Sequence, residues 1–267
     1  MSRIFDLPLT DALEATWRGL LARAEMGALA PRAPMAGDDS ETMEFLYGPL
    51  VQADALVLGQ MGQSLDGFIA TRTGHSHYVT GPESLVHLHR LRALVDAVVV
   101  GSATVVADDP RLTVRRVEGA DPVRVVVDLD RSLDGDVRAF AGGADVLRVV
   151  ADGLQPQRGG VPELAVRAVD GALDPHELVR GLAGRGLRRI LVEGGGRLVS
   201  SFLRARALDR LHVAVAPLLV GGGVPGVVPE PVDSLENALR PSSRTYAMGV
   251  DVLFDLDVGS STPSRST

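Results

Sequence analysis

The chain has 267 residues, 45% apolar and 23% charged, enough to build a packed core without metals or cross-links. It contains no cysteine, which excludes disulfide scaffolds, iron–sulfur clusters, thiolate zinc sites and cysteine nucleophiles. All 27 basic residues are arginine, which excludes Schiff-base, pyridoxal-lysine, P-loop and lysine-dependent kinase chemistry, and the net charge of −7 argues against binding long nucleic acid.

In chain order, residues 10–27 form a predicted helix: Leu13, Trp17, Leu20, Leu21 and Ala24 recur on one stripe, and Thr10 is placed to cap it. A connector rich in proline, glycine and aspartate follows over 28–40. Residues 1–53 therefore read as an N-terminal helical extension that packs on the main body or on a neighbouring subunit. From 54 to 258, short β-rich runs alternate with helical patterns. Strands are predicted at 55–62, 96–101, 123–128, 145–150, 164–169 and 189–193, and helices at 82–95, 174–183 and 196–207. Pro82 and Pro175 stand in first helical turns, and the valines at 98–100 suit a strand buried on both faces. Two long strands, 211–220 and 246–257, predict an antiparallel finish. The alternation predicts an α/β domain with a mostly parallel central sheet flanked by helices. A polar tail over 259–267 is expected to be disordered. The N-terminus lacks the apolar run of a signal peptide and no run of about 18 apolar residues predicts a membrane span, so a cytoplasmic location is expected.

Four clusters hold candidate chemistry. The first is Ser64-Leu65-Asp66-Gly67 with Thr71, Gly74 and Ser76, whose plainest reading is an Asp-Gly hairpin. The second joins Arg90 and Arg92 to segment 101–116, where Asp108, Asp109, Arg115 and Arg116 form either a surface ion-pair network or an anion-binding set. The third is Glu193 followed by Gly194, Gly195 and Gly196 between a strand and a helix, an arrangement that suits a phosphate. It lacks the third glycine of a dinucleotide fingerprint. A carboxylate closing a buried strand needs a partner, which makes Glu193 a ligand-contact candidate. The fourth is Gly221-Gly222-Gly223, a pocket lip or a plain loop. The histidine pairs His75/His77 and His87/His89 come without the carboxylates or thiolates that would complete a metal site, so no metal is expected.

Taken in order, the strings SLDGFIAT (64–71), GHSHYVT (74–80), LRA (91–93), DAVVVGSATVVADDPRLTVR (96–115), PVRVVVD (122–128), VEGGGRL (192–198) and APLLVG (216–221) resemble one family. That family is the reductase domain of the bacterial riboflavin-biosynthesis deaminase/reductase. The resemblance runs from about Ala55 to Asp257 and leaves residues 1–53 uncovered. It implies a dihydrofolate-reductase-like fold, a homodimer, and NADPH as cofactor. It implies reduction of the ribosyl group of 5-amino-6-(5-phosphoribosylamino)uracil, by hydride transfer to C1′ of the ring-opened imine. Ser76, Arg92, Leu112, Arg115 and Glu193 match the family's substrate contacts, with the arginines on the phosphate. Gly62, Tyr78, Thr104, Asp108 and the helix start Gly195, Gly196, Arg197 and Leu198 match its NADPH contacts. Deamination is excluded, because the zinc site it needs uses cysteines. Where the family commonly has a lysine, this chain has Gln60, which leaves Asp108 and Glu193 as the groups able to manage protons. A pteridine- or dihydrofolate-type reductase and a non-catalytic nucleotide-binding module are the alternative readings.

Overall fold

The valine-rich runs settle in the middle of one twisted sheet, seen in a computed structural model that describes residues 4–26, 38–77, 79–141, 145–155, 160–169 and 171–259. Tyr78 and the tail beyond Gly259 lie outside the described residues. Nine strands form the sheet: β1 (Leu56–Ser64), β3 (Ala97–Gly101), β4 (Val123–Val127), β5 (Val146–Ala151), β6 (Glu163–Val166), β9 (Arg189–Glu193), β10 (Arg210–Ala216), β12 (Ser242–Met248) and β13 (Asp251–Asp257). Their spatial order is β12-β13-β10-β1-β9-β3-β4-β5-β6. All pairings from β10 to β6 are parallel, and β13 and β12 close the other edge antiparallel. Two small ribbons complete the β structure: β2 (Phe68–Thr71) with β11 (Gly223–Pro225), and β7 (Ala168–Val169) with β8 (Ala172–Leu173).

Helices cover both faces, as a parallel sheet requires. On one face lie α1 (Asp11–Met26), α2 (Asp38–Gln52) and α3 (Pro82–Leu94). Leu13, Trp17, Leu20, Met43, Leu46 and Leu50 pack there on Leu58, Leu91 and Leu191. On the other face α5 (Pro175–Ala183) and α6 (Gly196–Arg204) bury Leu178, Leu182, Val199 and Phe202 against Val57, Val99, Val125 and Val192. The short α4 (Ser102–Asp108) follows β3 and turns Val105 to the first face.

The N-terminal extension is thus part of the core. Helix α2, absent from the sequence reading, contains Gly48 and Pro49, both helix breakers. Burial of Met43, Leu46, Tyr47 and Leu50 stabilises it, at roughly 1.5–3 kcal/mol per large apolar side chain. Arg90, fully buried on α3, lies over the rings of Trp17 and Tyr47 at 5.5 and 5.8 Å and donates to the carbonyl of Ile4, tying both N-terminal helices to α3.

Several boundaries move. The predicted strand 211–220 ends at Ala216, because Pro217 has no N–H to donate to the ladder. The predicted strand 246–257 is instead the second half of a hairpin, turned at Gly249 with φ +63, and Ser242–Thr245 extend its first strand. The predicted helix 196–207 stops at Arg204, two residues before Arg206 at φ +53. The predicted strand 164–169 divides into β6 and β7. The Asp66-Gly67 turn forms, with the Gly67 N–H donating to the Ser64 carbonyl, but β2 pairs with β11 rather than folding back on β1.

Candidate active site

The carboxyl ends of the central parallel strands carry the candidate residues. Strand β3 runs into α4 on the first face, and its neighbour β9 runs into α6 on the second. Connections that leave adjacent parallel strands on opposite faces open a crevice at their ends, the usual seat of a ligand in such sheets. Gly101, with open space where a Cβ would stand, lines one side. Gly194, at φ +104, lines the other, where a Cβ would meet Thr104 Oγ1 at 2.8 Å. The Gly195 N–H donates to Thr104 Oγ1 at 2.9 Å, so Thr104 fastens α4 to the glycine loop. The N–H groups of Gly196 and Arg197 bond to no described residue. They are the unsatisfied donors of a helix start and fit a cofactor phosphate. Leu198 is the next residue of that turn.

At the floor of the crevice Glu193 closes β9 and is buried. Arg92, on α3, donates to both its carboxylate oxygens, Nε to Oε1 at 2.8 Å and Nη2 to Oε2 at 2.7 Å. Arg92 Nη1 also donates to the Thr113 carbonyl. The guanidinium expected on the substrate phosphate is thereby spent on orienting Glu193 and the segment after α4. The two bonds fix the orientation of the carboxylate at the end of β9.

That segment carries a cluster of arginines. Leu112, buried, sits at φ +58, a costly conformation for a leucine that the surrounding contacts enforce. The Arg115 N–H donates to His89 Nδ1 at 3.0 Å, fixing that nitrogen as an acceptor. Burial, then the charges of Arg92, Arg115 and Arg116, push the His89 pKa down to about 3. Burial and the neighbouring Arg92, Arg116 and Arg111 also hold the Arg115 pKa below its usual value. Cations crowded in this way favour an anion.

Asp108 and Asp109 divide between the two readings of their pair. Asp109 accepts from the Arg138 backbone N–H and Nε, a plain ion pair. Asp108, exposed at the end of α4, accepts from Ser76 Oγ at 3.0 Å, so two predicted site residues from separate segments meet. Gly62 faces Thr80, whose Cγ2 would lie 2.7 Å from a Cβ added there.

The first and fourth clusters also come together. Asp66 accepts from Ser64 Oγ and from the N–H groups of Val220 and Gly221, and these bonds lower its pKa. The β2–β11 ribbon they fasten passes over the start of α6, where Pro225 and Gly226 carbonyls leave no room for a Cβ on Gly196.

Sequence reading missed a polar row across the sheet. Gln60 on β1 stands between Glu193 on β9 and His212 on β10, and Asp255 on β13 is opposite His212. His212 Nε2 and Asp255 Oδ1 are 3.1 Å apart, and His87 bridges His212 to the Tyr47 hydroxyl at 3.1 and 2.8 Å. All six groups are buried. Polar residues set within otherwise apolar strand runs were the signal available for this row.

A family model described as the RibD C-terminal domain matches residues 55–252. The chain belongs to that family. It is 38% identical to the 2,5-diamino-6-ribosylamino-4(3H)-pyrimidinone 5′-phosphate reductase of Methanothermobacter thermautotrophicus, over 76% of this chain and 97% of that protein. It is 33% identical to the riboflavin biosynthesis protein RibD of Mycobacterium tuberculosis, over 72% of this chain but only 51% of that longer protein. Among solved structures, a deaminase/reductase of Thermotoga maritima superposes with a TM-score of 0.66 at 25% identity, covering 82% of this chain and 62% of that one. The expected fold class is borne out, and the matched region begins after the N-terminal helices.

Proposed function

We propose that the protein is an NADPH-dependent reductase of a ribosylaminopyrimidine 5′-phosphate in riboflavin biosynthesis. The observation that carries this reading is the buried Arg92–Glu193 pair at the floor of the β3–β9 crevice, flanked by Arg111, Arg115 and Arg116. That arrangement suits a polar sugar with a phosphate at one end. One relative, matched over 76% of this chain, is a reductase named for the 2,5-diamino-pyrimidinone. The 5-amino-6-(5-phosphoribosylamino)uracil read from the sequence differs by an oxo group in place of the 2-amino group. Both substrates contain the same ribosylamine, where the reaction occurs.

NADPH, when bound, supplies a hydride, which with one proton converts the C1′=N bond of the ring-opened substrate to a ribitylamine and leaves NADP⁺. The chain's own part is positioning and proton handling. Glu193, oriented by Arg92, accepts from the sugar hydroxyls. Ser76 and Leu112 border the sugar, and Arg115 holds the phosphate. Asp108, steadied by Ser76, delivers the proton to the amine nitrogen. Gly62, Tyr78, Thr104, Gly195, Gly196, Arg197 and Leu198 would hold the cofactor, and the open N–H groups of Gly196 and Arg197 would bond its phosphates.

We further propose a cytoplasmic homodimer. In its support, β12 leaves an edge of the sheet unpaired and Val250, Val252 and Phe254 are exposed beside it.

The test of the reaction is isotopic. NADPH deuterated at nicotinamide C4 is incubated with the enzyme and either pyrimidine, and the product is analysed by mass spectrometry. One deuterium at C1′ is expected. Unlabelled product, or no product from either pyrimidine, contradicts the reading.

A further inference from the structure

A cavity of about 390 Å³ lies between the N-terminal segment and the loop after Leu112. Its walls include Leu7, Leu9, Trp17 and Arg18 from the extension, and Arg115 and Arg116 from the loop. The volume falls in the range of small-ligand pockets. Its charge balance favours an anion. Arg18 lies 3.5 Å from Glu14 and 3.6 Å from Glu118, so both carboxylates lining the cavity share one guanidinium. Arg115 and Arg116 make no ion pair with a described carboxylate. The wall is held in place: Trp17 Nε1 donates to the Glu118 carbonyl at 3.0 Å, and Gly119 at φ +148 packs so close to Ala93 that a Cβ there would lie 2.5 Å away. The loop bearing the arginines is therefore clamped between α1 and α3. Arg115, in the cavity wall, and Arg92, paired with Glu193, both donate to the Thr113 carbonyl, which joins the cavity to that pair.

We propose that this cavity receives the phosphate-bearing end of the substrate, and that Arg116 and helix α1, outside the family-matched region, determine specificity for the 5′-phosphate. The proposal rests on the reductase reading for its substrate, but the anion site can be tested without turnover. Trp17 is the chain's single tryptophan and lines the cavity, so its fluorescence reports on occupancy.

The full chain is titrated with ribose 5-phosphate and, separately, with ribose and with inorganic phosphate. A saturable change in Trp17 emission with ribose 5-phosphate and none with ribose is expected. A response to inorganic phosphate alone, or equal responses to ribose and its phosphate, overturns the proposal. Arg116→Ala should weaken ribose 5-phosphate binding about tenfold or more, the usual consequence of losing a charge-assisted hydrogen bond. Arg116→Lys should recover part of it, which a purely structural role for Arg116 would not predict.

With turnover as readout, Arg116→Ala should raise KM for the phosphorylated pyrimidine about tenfold with kcat nearly intact. The KM preference over the dephosphorylated analogue should shrink by the same factor. An unchanged preference in an active enzyme overturns the proposal while leaving the reductase reading standing. A Trp17 response sensitive to Arg116, in a protein that reduces neither pyrimidine, supports the phosphate site and removes the reductase reading.

Discussion

At the residue scale the proposed site holds two carboxylates with different surroundings. Glu193 is buried and doubly bonded to Arg92. Replacing it by glutamine leaves Arg92 buried beside a neutral amide, and breaking one partner of such a pair costs roughly 3–5 kcal/mol. Glu193→Gln should therefore lower the unfolding free energy measurably in a denaturant titration and also abolish tight substrate binding. Asp108 is exposed and bonded only to Ser76 among the described residues, so Asp108→Asn should leave the melting temperature unchanged. Its kcat should fall about a hundredfold, the lower end of what proton transfer contributes. A kcat within about threefold of the parent would remove Asp108 from the proton's path.

Both residues were legible in the sequence, but their partners were not. Arg92 and Glu193 lie 101 positions apart and meet only because α3 crosses the end of β9. Read separately, Arg92 passes for a phosphate ligand. Read together, it is the residue that orients Glu193. Gln60 was noticed for the lysine it replaces, whereas its neighbours His212 and Glu193 follow from strand register, which one sequence does not reveal.

At the scale of elements, the hydrogen bond from the Gly195 N–H to Thr104 Oγ1 ties the two sides of the crevice together. Thr104→Val keeps the shape and removes the acceptor of the Gly195 N–H. The expected result is a several-fold rise in KM for NADPH with a loss of about 1 kcal/mol in stability, checked by steady-state kinetics and a denaturant titration. Helix α2 makes a contrasting prediction. Leu46 is fully buried in the layer shared with α1 and α3. Leu46→Ala should cost roughly 2–5 kcal/mol although it lies outside the family-matched region. A loss under about 0.5 kcal/mol would mean that the extension is not part of the cooperative unit.

Strands announced by valine runs and helices announced by a leading proline were readable within a few residues. Helix α2 was not, because Gly48 and Pro49 carry the local signal of a break while tertiary burial decides the outcome. The C-terminal hairpin was hidden for the opposite reason. The apolar run from Tyr246 to Val250 continues through Gly249, whose positive φ turns the chain.

For the whole molecule, buried titratable groups set the response to acid. His89 is held neutral, with its pKa near 3 against 6.5 for a free histidine, first by burial and then by the three arginines around it. His87 is also lowered, chiefly by burial and by His212. In the unfolded chain these groups take up protons below about pH 6.5, while in the folded protein they do not. Stability is therefore greatest above 6.5 and falls as pH drops from 6.5 towards 3. Asp255 adds to this at lower pH. Although burial opposes it, hydrogen bonds from His212 and Arg210 lower its pKa to about 2, so its contribution is lost between about 3.8 and 2. Melting temperature should fall steadily between pH 7 and pH 4. His89→Gln, which keeps an acceptor for the Arg115 N–H and cannot titrate, should show a shallower fall. An identical slope would mean that His89 is not held neutral.

The measurement that tests the central reading most directly is steady-state oxidation of NADPH by the purified full-length protein. It would use the 2,5-diamino-pyrimidinone ribosyl 5′-phosphate and its deaminated uracil counterpart, each with and without the phosphate. Saturable oxidation with at least one phosphorylated pyrimidine, and a much higher KM without the phosphate, is the predicted result. NADPH that binds but is consumed with none of the four compounds would contradict it.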